Sequence, residues 1–274
     1  MFKFLRWLRH GPLKCLDRGW IYLGRGYRFA IKKFKFFPSV PMKIGPYGPF
    51  RLDAYFAFSN FKHWNAGHNN GFDACIAACK GRQCVVDIGA HIGLVTLPMS
   101  TVVADNAQVL AFEPAIENFK YLKKHVTLNK LKNVTLHQYL IGDINNEKVV
   151  FYERNDASGM NALIIKKNKN KYIQTQKSQK TLDSFFENSS LKPELIKIDV
   201  EGAEIKVLKG AIRTLKKCKP IIFLSIHPTE IELLGNSLSE LSDIINEIGY
   251  RITNIDGTPV ERFLLKEYIM QPKI

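Results

Sequence analysis

Between residues 84 and 268 the chain alternates short apolar runs with longer stretches of mixed apolar and polar residues. The runs Cys84–Gly89, Gln108–Phe112, Val134–Ile141, Leu195–Val200 and Ile221–Ile226 predict buried strands. Helical spacing of apolar positions predicts helices over Ile92–Val103, Ile116–Asn129, Thr181–Glu187, Glu204–Lys217 and Ser237–Ile248. Lys148–Tyr152 reads as a short extra strand, and Tyr250–Ile255 and Phe263–Tyr268 as two closing strands. Residues 166–180 hold six lysines and no acid, which predicts an exposed mobile loop. Strands that alternate with helices imply a mostly parallel sheet covered on both faces.

The first third of the chain reads differently. Residues 1–37 interleave apolar residues (Phe4, Leu5, Trp7, Leu8, Trp20, Ile21) with ten Lys/Arg and a single acid, Asp17. This fits a basic amphipathic surface helix, or an arm packed on its own domain or on a partner subunit. Charges interrupt every apolar run, so a secretory signal is not expected. The prolines and glycines of residues 38–50 read as a turn-rich break. The expected organisation is a basic extension over 1–50, a helical and loop lead-in over 51–83, and one catalytic-size domain over 84–274. Within the lead-in, Trp64 to Gly71 reads as a polar loop before a short helix over Phe72–Ala78.

At 274 residues, 46% hydrophobic and 24% charged, the chain can bury a full core without staples. Whole-chain disorder is excluded. No apolar run approaches the roughly 20 residues of a spanning helix. The formal charge is +15, of which residues 1–37 alone contribute +9. Such asymmetry points to an anionic partner: a lipid surface, a nucleic acid or an acidic glycan. The five cysteines form no CxxC pair. Reduced, mostly buried thiols in a cytoplasmic setting are expected in preference to a zinc cluster of Cys75, Cys79 and Cys84 with His68.

Chemistry concentrates at the first strand-to-helix turn, Val85-Val86-Asp87-Ile88-Gly89-Ala90-His91-Ile92-Gly93. Gly89 and Gly93 allow close backbone approach to a ligand at the carboxyl end of a strand. Twenty residues after Gly93, Glu113 ends the next strand, placed to accept hydrogen bonds from ribose hydroxyls. Asp87 would be unfavourable beside a pyrophosphate and favourable beside an ammonium or sulfonium. The spacing therefore argues for S-adenosylmethionine over a dinucleotide. His91 stands where a left-handed backbone is expected, which histidine tolerates better than most residues. Asp143 ends the third strand, where an acid can meet an adenine amino group, with Leu140 or Ile141 against the ring. A plain surface turn is the competing reading there.

With these motifs the chain resembles FkbM-type S-adenosylmethionine-dependent methyltransferases. The resemblance rests on the 85–93 turn, on Phe112-Glu113-Pro114, and above all on Ile198-Asp199-Val200-Glu201-Gly202-Ala203-Glu204 followed by Val207-Leu208-Lys209-Gly210-Ala211. It covers about residues 84–227 and leaves the first 80 residues without support. It implies a Rossmann-like class I methyltransferase fold with a mostly parallel seven-stranded sheet. It also implies a cofactor site at Asp87, Gly89, Ala90, His91, Gly93, Glu113 and Asp143. His91 departs from the asparagine more usual at its position, which puts that one cofactor contact in doubt. The acceptor range implied is a hydroxyl of a sugar, a polysaccharide precursor or a secondary metabolite.

On the reacting side, Asp199, Glu201 and Glu204 follow the fourth strand, and His227 ends the fifth. An alcohol acceptor needs its proton removed, and these four are the catalytic candidates. Helix-start chemistry is the competing role for Glu204. His227 has three open roles: base, divalent-metal ligand with Asp199 and Glu201, or turn residue before Pro228. The basic start would dock the enzyme peripherally at the inner membrane surface. Two other classes stay open. A nucleic-acid methyltransferase fits the charge but lacks the Asn/Asp-Pro-Pro-Tyr/Phe and Pro-Cys motifs. A non-catalytic S-adenosylmethionine-binding scaffold would not need the full carboxylate set.

Overall fold

A computed structural model describes residue 11 and residues 17–34, 39–61, 64–154, 157, 161–165 and 172–273. Its main body is one sheet. In chain order it contains β3 (Cys84–Ile88), β4 (Gln108–Phe112), β5 (Val134–His137), β9 (Leu195–Ile198), β10 (Ile221–Ile226), β11 (Tyr250–Asn254) and β12 (Lys266–Pro272). The spatial order is β11-β12-β10-β9-β3-β4-β5. Only β12 runs antiparallel to its neighbours, β10 and β11. This is the seven-stranded, mostly parallel sheet that the resemblance implies. All five residues of β3 and all four of β9 are buried, as expected of central strands covered on both faces.

The flanking helices are α2 (Phe72–Ala78), α3 (Thr96–Met99), α4 (Ile116–Leu128), α5 (Leu182–Phe186), α6 (Glu204–Lys209), α7 (Ile212–Cys218), α8 (Pro228–Leu233) and α9 (Leu238–Glu247). One core packs Ile205, Leu208, Leu215, Leu241 and Ile245 against Val86, Ile196 and Leu224. The opposite face packs Cys75, Ile76, Leu97 and Met99 against Val85, Val109 and Phe223.

Four expectations need correction. The helix over Ile92–Val103 is reduced to the single turn α3, because left-handed backbone at His91 and Gly93 holds the segment before it out of helical geometry. The helix over Glu204–Lys217 breaks into α6 and α7 at Gly210. A Cβ there would lie 1.9 Å from the Gly142 carbonyl oxygen, so the chain needs glycine where a loop crosses it. The strand over Val134–Ile141 also splits. Only β5 joins the main sheet, while β6 (Leu140–Ile141) turns away into a second, three-stranded sheet. That sheet contains β7 (Asn146–Glu153), which extends the expected extra strand, and β8 (Ile173–Lys180), in the order β6-β8-β7. Half of the expected lysine loop is therefore a strand; residues 166–171 lie outside the described residues. Lys177 sits inward because Glu153 meets its ammonium at 2.7 Å, with both side chains buried. The other Glu153 oxygen accepts from the backbone N–H of Ile116, which ties the small sheet to the start of α4.

Before the main body lie a helix, α1 (Asp17–Phe34), and a hairpin, β1 (Ser39–Ile44) and β2 (Tyr47–Asp53). The expected turn-rich break thus forms an antiparallel pair, and the boundary drawn at residue 50 falls inside β2. The hairpin docks on α4. His125 donates from Nδ1 to the Ile92 carbonyl at 2.8 Å and accepts at Nε2 from the Asp53 N–H at 3.0 Å. That pattern fixes a neutral imidazole, and burial pushes its pKa down to about 4. Lys124 pairs with Asp53, and the Asn129 amide brackets the Arg51 backbone.

Helix α1 rests on this unit through Trp20 and Ile31, through a Tyr27–Phe58 ring contact at 5.0 Å, and through Arg28 over Tyr55. Its outer face leaves Tyr22 (68%) and Phe29 (67%) exposed beside exposed Arg25 and Lys33. Residues 1–10, 12–16 and 35–37, about half of the basic segment, lie outside the described residues. Among the described residues, no helix is long and apolar enough to cross a membrane.

Candidate active site

Strand order reverses between β3 and β9, which are hydrogen-bonded neighbours. In open α/β sheets ligands bind outside the carboxyl ends of the strands at such a point. A cavity of about 300 Å³ lies there. Its floor is formed by Asp87 in β3, by Gly89, Ala90 and His91 after it, and by Asp199 and Glu201 after β9. The two turns nearly touch. A Cβ on Gly89, whose φ is +85°, would lie 1.8 Å from the Asp199 carbonyl oxygen, so only glycine fits.

At the end of β4, Glu113 is 5% exposed and reaches the cavity wall. Its Oε2 accepts from the His91 N–H at 2.8 Å and its Oε1 from the Ala115 N–H at 2.9 Å. Burial nevertheless pushes its carboxyl up to about 7, against the backbone hydrogen bonds that favour the charge. His91 has a left-handed backbone, φ 52°, as the turn requires. Burial lowers its ring pKa to about 4, so the imidazole is neutral. Phe112, Pro114, Tyr139, Leu140 and Ile141 add an apolar wall beside Glu113.

Asp87 is fully buried. Its Oδ2 accepts from Thr96 Oγ1 at 2.6 Å, while Oδ1 has no hydrogen-bond partner among the described residues. Burial raises its carboxyl despite Lys197 and Thr96. Lys197, 1% exposed in the middle of β9, places Nζ 3.2 Å from Asp199 and 3.7 Å from Asp87. Burial alone would discharge this ammonium, but Asp199, Asp87 and Glu267 outweigh it and raise its pKa. Burial likewise opposes ionisation of Asp199, whose carboxyl is held below the ordinary range by Lys197 and His227.

His227, at the end of β10, is 4% exposed. Its Nδ1 lies 2.6 Å from Oε1 of Glu204, a carboxylate buried behind the cavity that also accepts from the Gly202 N–H. This contact commits Nδ1 as donor and turns Nε2 toward the cavity. There Nε2 stands 3.7 Å from Glu201 and 3.8 Å from Asp199. Burial disfavours the imidazolium, but the bond to Glu204 and the charges of Glu204, Asp199 and Glu201 push the pKa up to about 9. Glu201 adopts φ 51°, a left-handed conformation costly for a non-glycine residue, which is concentrated at functional turns.

Of the residues singled out from sequence, Asp87, Gly89, Ala90, His91, Glu113, Asp199, Glu201 and His227 thus line one cavity. Three do not. Glu204 stands behind His227. The Cβ position of Gly93 points at Leu122 and Leu97, so this glycine serves packing. Asp143 faces away, pairing with Lys206 at 2.9 Å and accepting from Gln179. Sequence reasoning missed the walls drawn from elsewhere. Phe61, Trp64, His68 and Phe72 come from the segment after the hairpin, and Phe151, Asn161 and Leu163 from around the small sheet. The aromatic density of residues 55–72 was the one available signal. The cysteines hold no metal-like cluster among the described residues: Cys75, Cys79, Cys84 and Cys218 are free thiols, and the first three are buried.

Strand order, switch-point cavity and the acid after the second strand together define a class I methyltransferase-type α/β protein. The family model described as the methyltransferase FkbM domain matches residues 87–252, more than half of the chain, and the chain belongs to that family. It is 30% identical over 143 residues to "Methyltransferase 1" of Beauveria bassiana (strain ARSEF 2860), an alignment that covers 46% of this chain and 57% of that protein. Among solved structures, methyltransferase FkbM from Methylobacillus flagellatus KT matches at 20% identity and TM-score 0.44, covering 69% of this chain and 43% of that one. The precorrin-6y C5,15-methyltransferase of Geobacter metallireducens GS-15 matches at 12% identity and TM-score 0.44, covering 74% and 86%.

Proposed function

We propose that this methyltransferase uses S-adenosylmethionine to methylate a hydroxyl of a sugar, a polysaccharide precursor or a secondary metabolite. The observation that carries the reading is one cavity with two chemically different ends. Glu113 and the apolar wall of Phe112, Leu140 and Ile141 suit a ribose and an adenine ring. Asp87 Oδ1, buried, without a hydrogen-bond partner among the described residues and 3.7 Å from the Lys197 ammonium, keeps acceptor capacity for a donor at this end of the cavity. These residues fit the cofactor and would hold it. When bound, S-adenosylmethionine would supply a methyl already activated on sulfonium.

The chain's own contribution is alignment and proton removal. Asp199, Glu201 and His227 face the same space from the other end. The carboxylates of Asp199 and Glu201 can receive the acceptor hydroxyl and its proton, with Glu204 orienting the His227 ring beside them. The aromatic residues Phe61, Trp64 and Phe72 provide flat apolar surface of the kind on which the C–H faces of a sugar ring stack. The test is incubation of the full chain with methyl-labelled S-adenosylmethionine and a panel of sugars, nucleotide sugars, phenols and RNA. Label recovered as a methyl ether on a hydroxyl supports the reading. Label on RNA bases, or tight cofactor binding with no transfer to any hydroxyl, overturns it.

We also propose that the outer face of α1 meets an anionic lipid surface. Exposed Tyr22 and Phe29, alternating with Arg25 and Lys33, combine ring insertion with charge attraction, and the +9 of residues 1–37 opposes a second copy there.

A further inference from the structure

Three cavity-facing groups stand in an arrangement that proton transfer alone does not require. One ligand atom each from Asp199, Glu201 and His227 lies within 4.8 Å of the others. Nε2 of His227 sits 3.7 Å and 3.8 Å from carboxylate oxygens of Glu201 and Asp199, beyond hydrogen-bond reach. Two bonds of about 2.1 Å to one ion, opened to about 110–120°, put their ligand atoms about 3.4–3.6 Å apart. The observed spacing is close to that.

A separate sign comes from behind the imidazole. His227 is a buried side chain whose hydrogen bond at Nδ1 goes to the fully buried Glu204. Carboxylate, imidazole and an outward nitrogen aimed between two further carboxylates form the orienting device of metal-bound histidines. Formal charge points the same way. Asp87, Asp199, Glu201, Glu204 and Glu267 are carboxyl groups gathered around one lysine, Lys197, already shared between Asp87 and Asp199, and one imidazole, His227. A divalent cation would offset part of that excess of carboxyl groups, and a low-dielectric site makes the offset matter.

We propose that Asp199, Glu201 and His227 bind a divalent transition-metal ion at the acceptor end of the cavity. Mixed imidazole and carboxylate donors favour manganese, iron, cobalt or zinc over magnesium or calcium. Binding of the ion stands apart from the methyl-transfer reading. Its role rests on that reading: an ion at this place would hold the acceptor oxygen and make its hydroxyl proton easier to lose to solvent.

The experiment is a titration of the chelator-stripped full chain with Mn²⁺, followed by loss of the free-ion electron paramagnetic resonance signal. One ion per chain is expected. Glu204→Gln keeps an acceptor oxygen for His227 and Gly202 but removes the charge, and it is expected to weaken binding about 10- to 100-fold. Glu201→Gln is expected to weaken it at least as much, while Glu240→Gln on the exposed face of α9 leaves it unchanged. Circular dichroism verifies that each variant is folded. No stoichiometric binding by the unmodified chain at millimolar Mn²⁺, or binding indifferent to both cavity variants, overturns the proposal. Methyl transfer that survives stripping, with no Mn²⁺ bound, overturns this inference and leaves the methyl-transfer reading standing. Mn²⁺ bound with no transfer to any hydroxyl does the reverse.

Discussion

Replacing Lys197 by Met removes one charge and almost no volume from the centre of the molecule. Lys197 is 1% exposed, its Nζ lies 3.2 Å from Asp199 and 3.7 Å from Asp87, and Glu267 is a further carboxyl in its field. Removing one member of a buried ionic group leaves the others uncompensated, at a cost of about 3–5 kcal/mol. Against a typical total of about 5–15 kcal/mol, that is a large share. The sign with pH follows from the carboxyls. In the unmodified chain Lys197 helps hold Asp199 below its ordinary range, a contribution present above the unfolded-state value of about 3.9 and lost as pH falls through the folded-state value. In Lys197→Met the same carboxyls are pushed up, so the folded state keeps protons that the unfolded chain releases, and stability drops as pH rises. The gap between the two proteins should therefore widen from pH 5 to pH 8. Urea unfolding followed by circular dichroism at pH 5 and pH 8 measures it. The double variant Asp87→Asn/Lys197→Met should recover at least about 1 kcal/mol at pH 8. A loss below about 1 kcal/mol, or one independent of pH, would refute the claim that Lys197 is held by these carboxylates.

Other expectations follow from the same geometry. Because burial holds the Glu113 carboxyl near 7, affinity for S-adenosylhomocysteine should climb between pH 6 and pH 8, and Glu113→Gln should flatten that climb and weaken binding about tenfold; calorimetry at both pH values reads it. His125→Ala strands the Asp53 N–H and opens a cavity, so a loss of about 2–4 kcal/mol and faster proteolysis within residues 39–53 are expected, whereas an unchanged digestion pattern would mean the hairpin is held by other contacts. Gly210→Ala places a methyl 1.9 Å from the Gly142 carbonyl, and a thermal melt should show a marked loss of stability. Vesicles with phosphatidylserine should sediment the full chain at low salt. Tyr22→Ser/Phe29→Ser should halve that binding or more, and equal sedimentation with neutral vesicles would speak against the lipid-facing role of α1.

The parallel core was legible because its strands are short apolar runs ending in glycine or acid, as in Val85 to Gly89 and Ile196 to Asp199. The floor of the cavity was legible for the same reason, since a turn that must admit a ligand needs Gly89 and places Asp87 and Asp199 beside it. Periodicity failed where long-range contacts decide local structure. Nothing within residues 204–217 announces that another loop's carbonyl rests on Gly210. The polar run ending at Lys180 looked solvent-bound because the partner of Lys177, Glu153, lies 24 residues earlier in the chain. Asp143 carries an acid where adenine contacts are common, yet Lys206, 63 residues away, claims it. The side walls were invisible for a related reason: Trp64 and Phe151 come from segments with no motif and meet only in three dimensions.

The cavity is assembled from parts with separate attachments. Its floor is set by the backbone ladders of the main sheet, whereas Phe151, Asn161 and Leu163 hang on a small sheet fastened partly through Glu153 to the start of α4. Leu140 and Ile141 belong to that same small sheet, and Phe151 packs with Leu140, so sequence drift there reshapes the wall beside Glu113 while the ladders of the floor stay intact. An exchange of residues 140–180 between relatives would therefore carry that wall over as one piece.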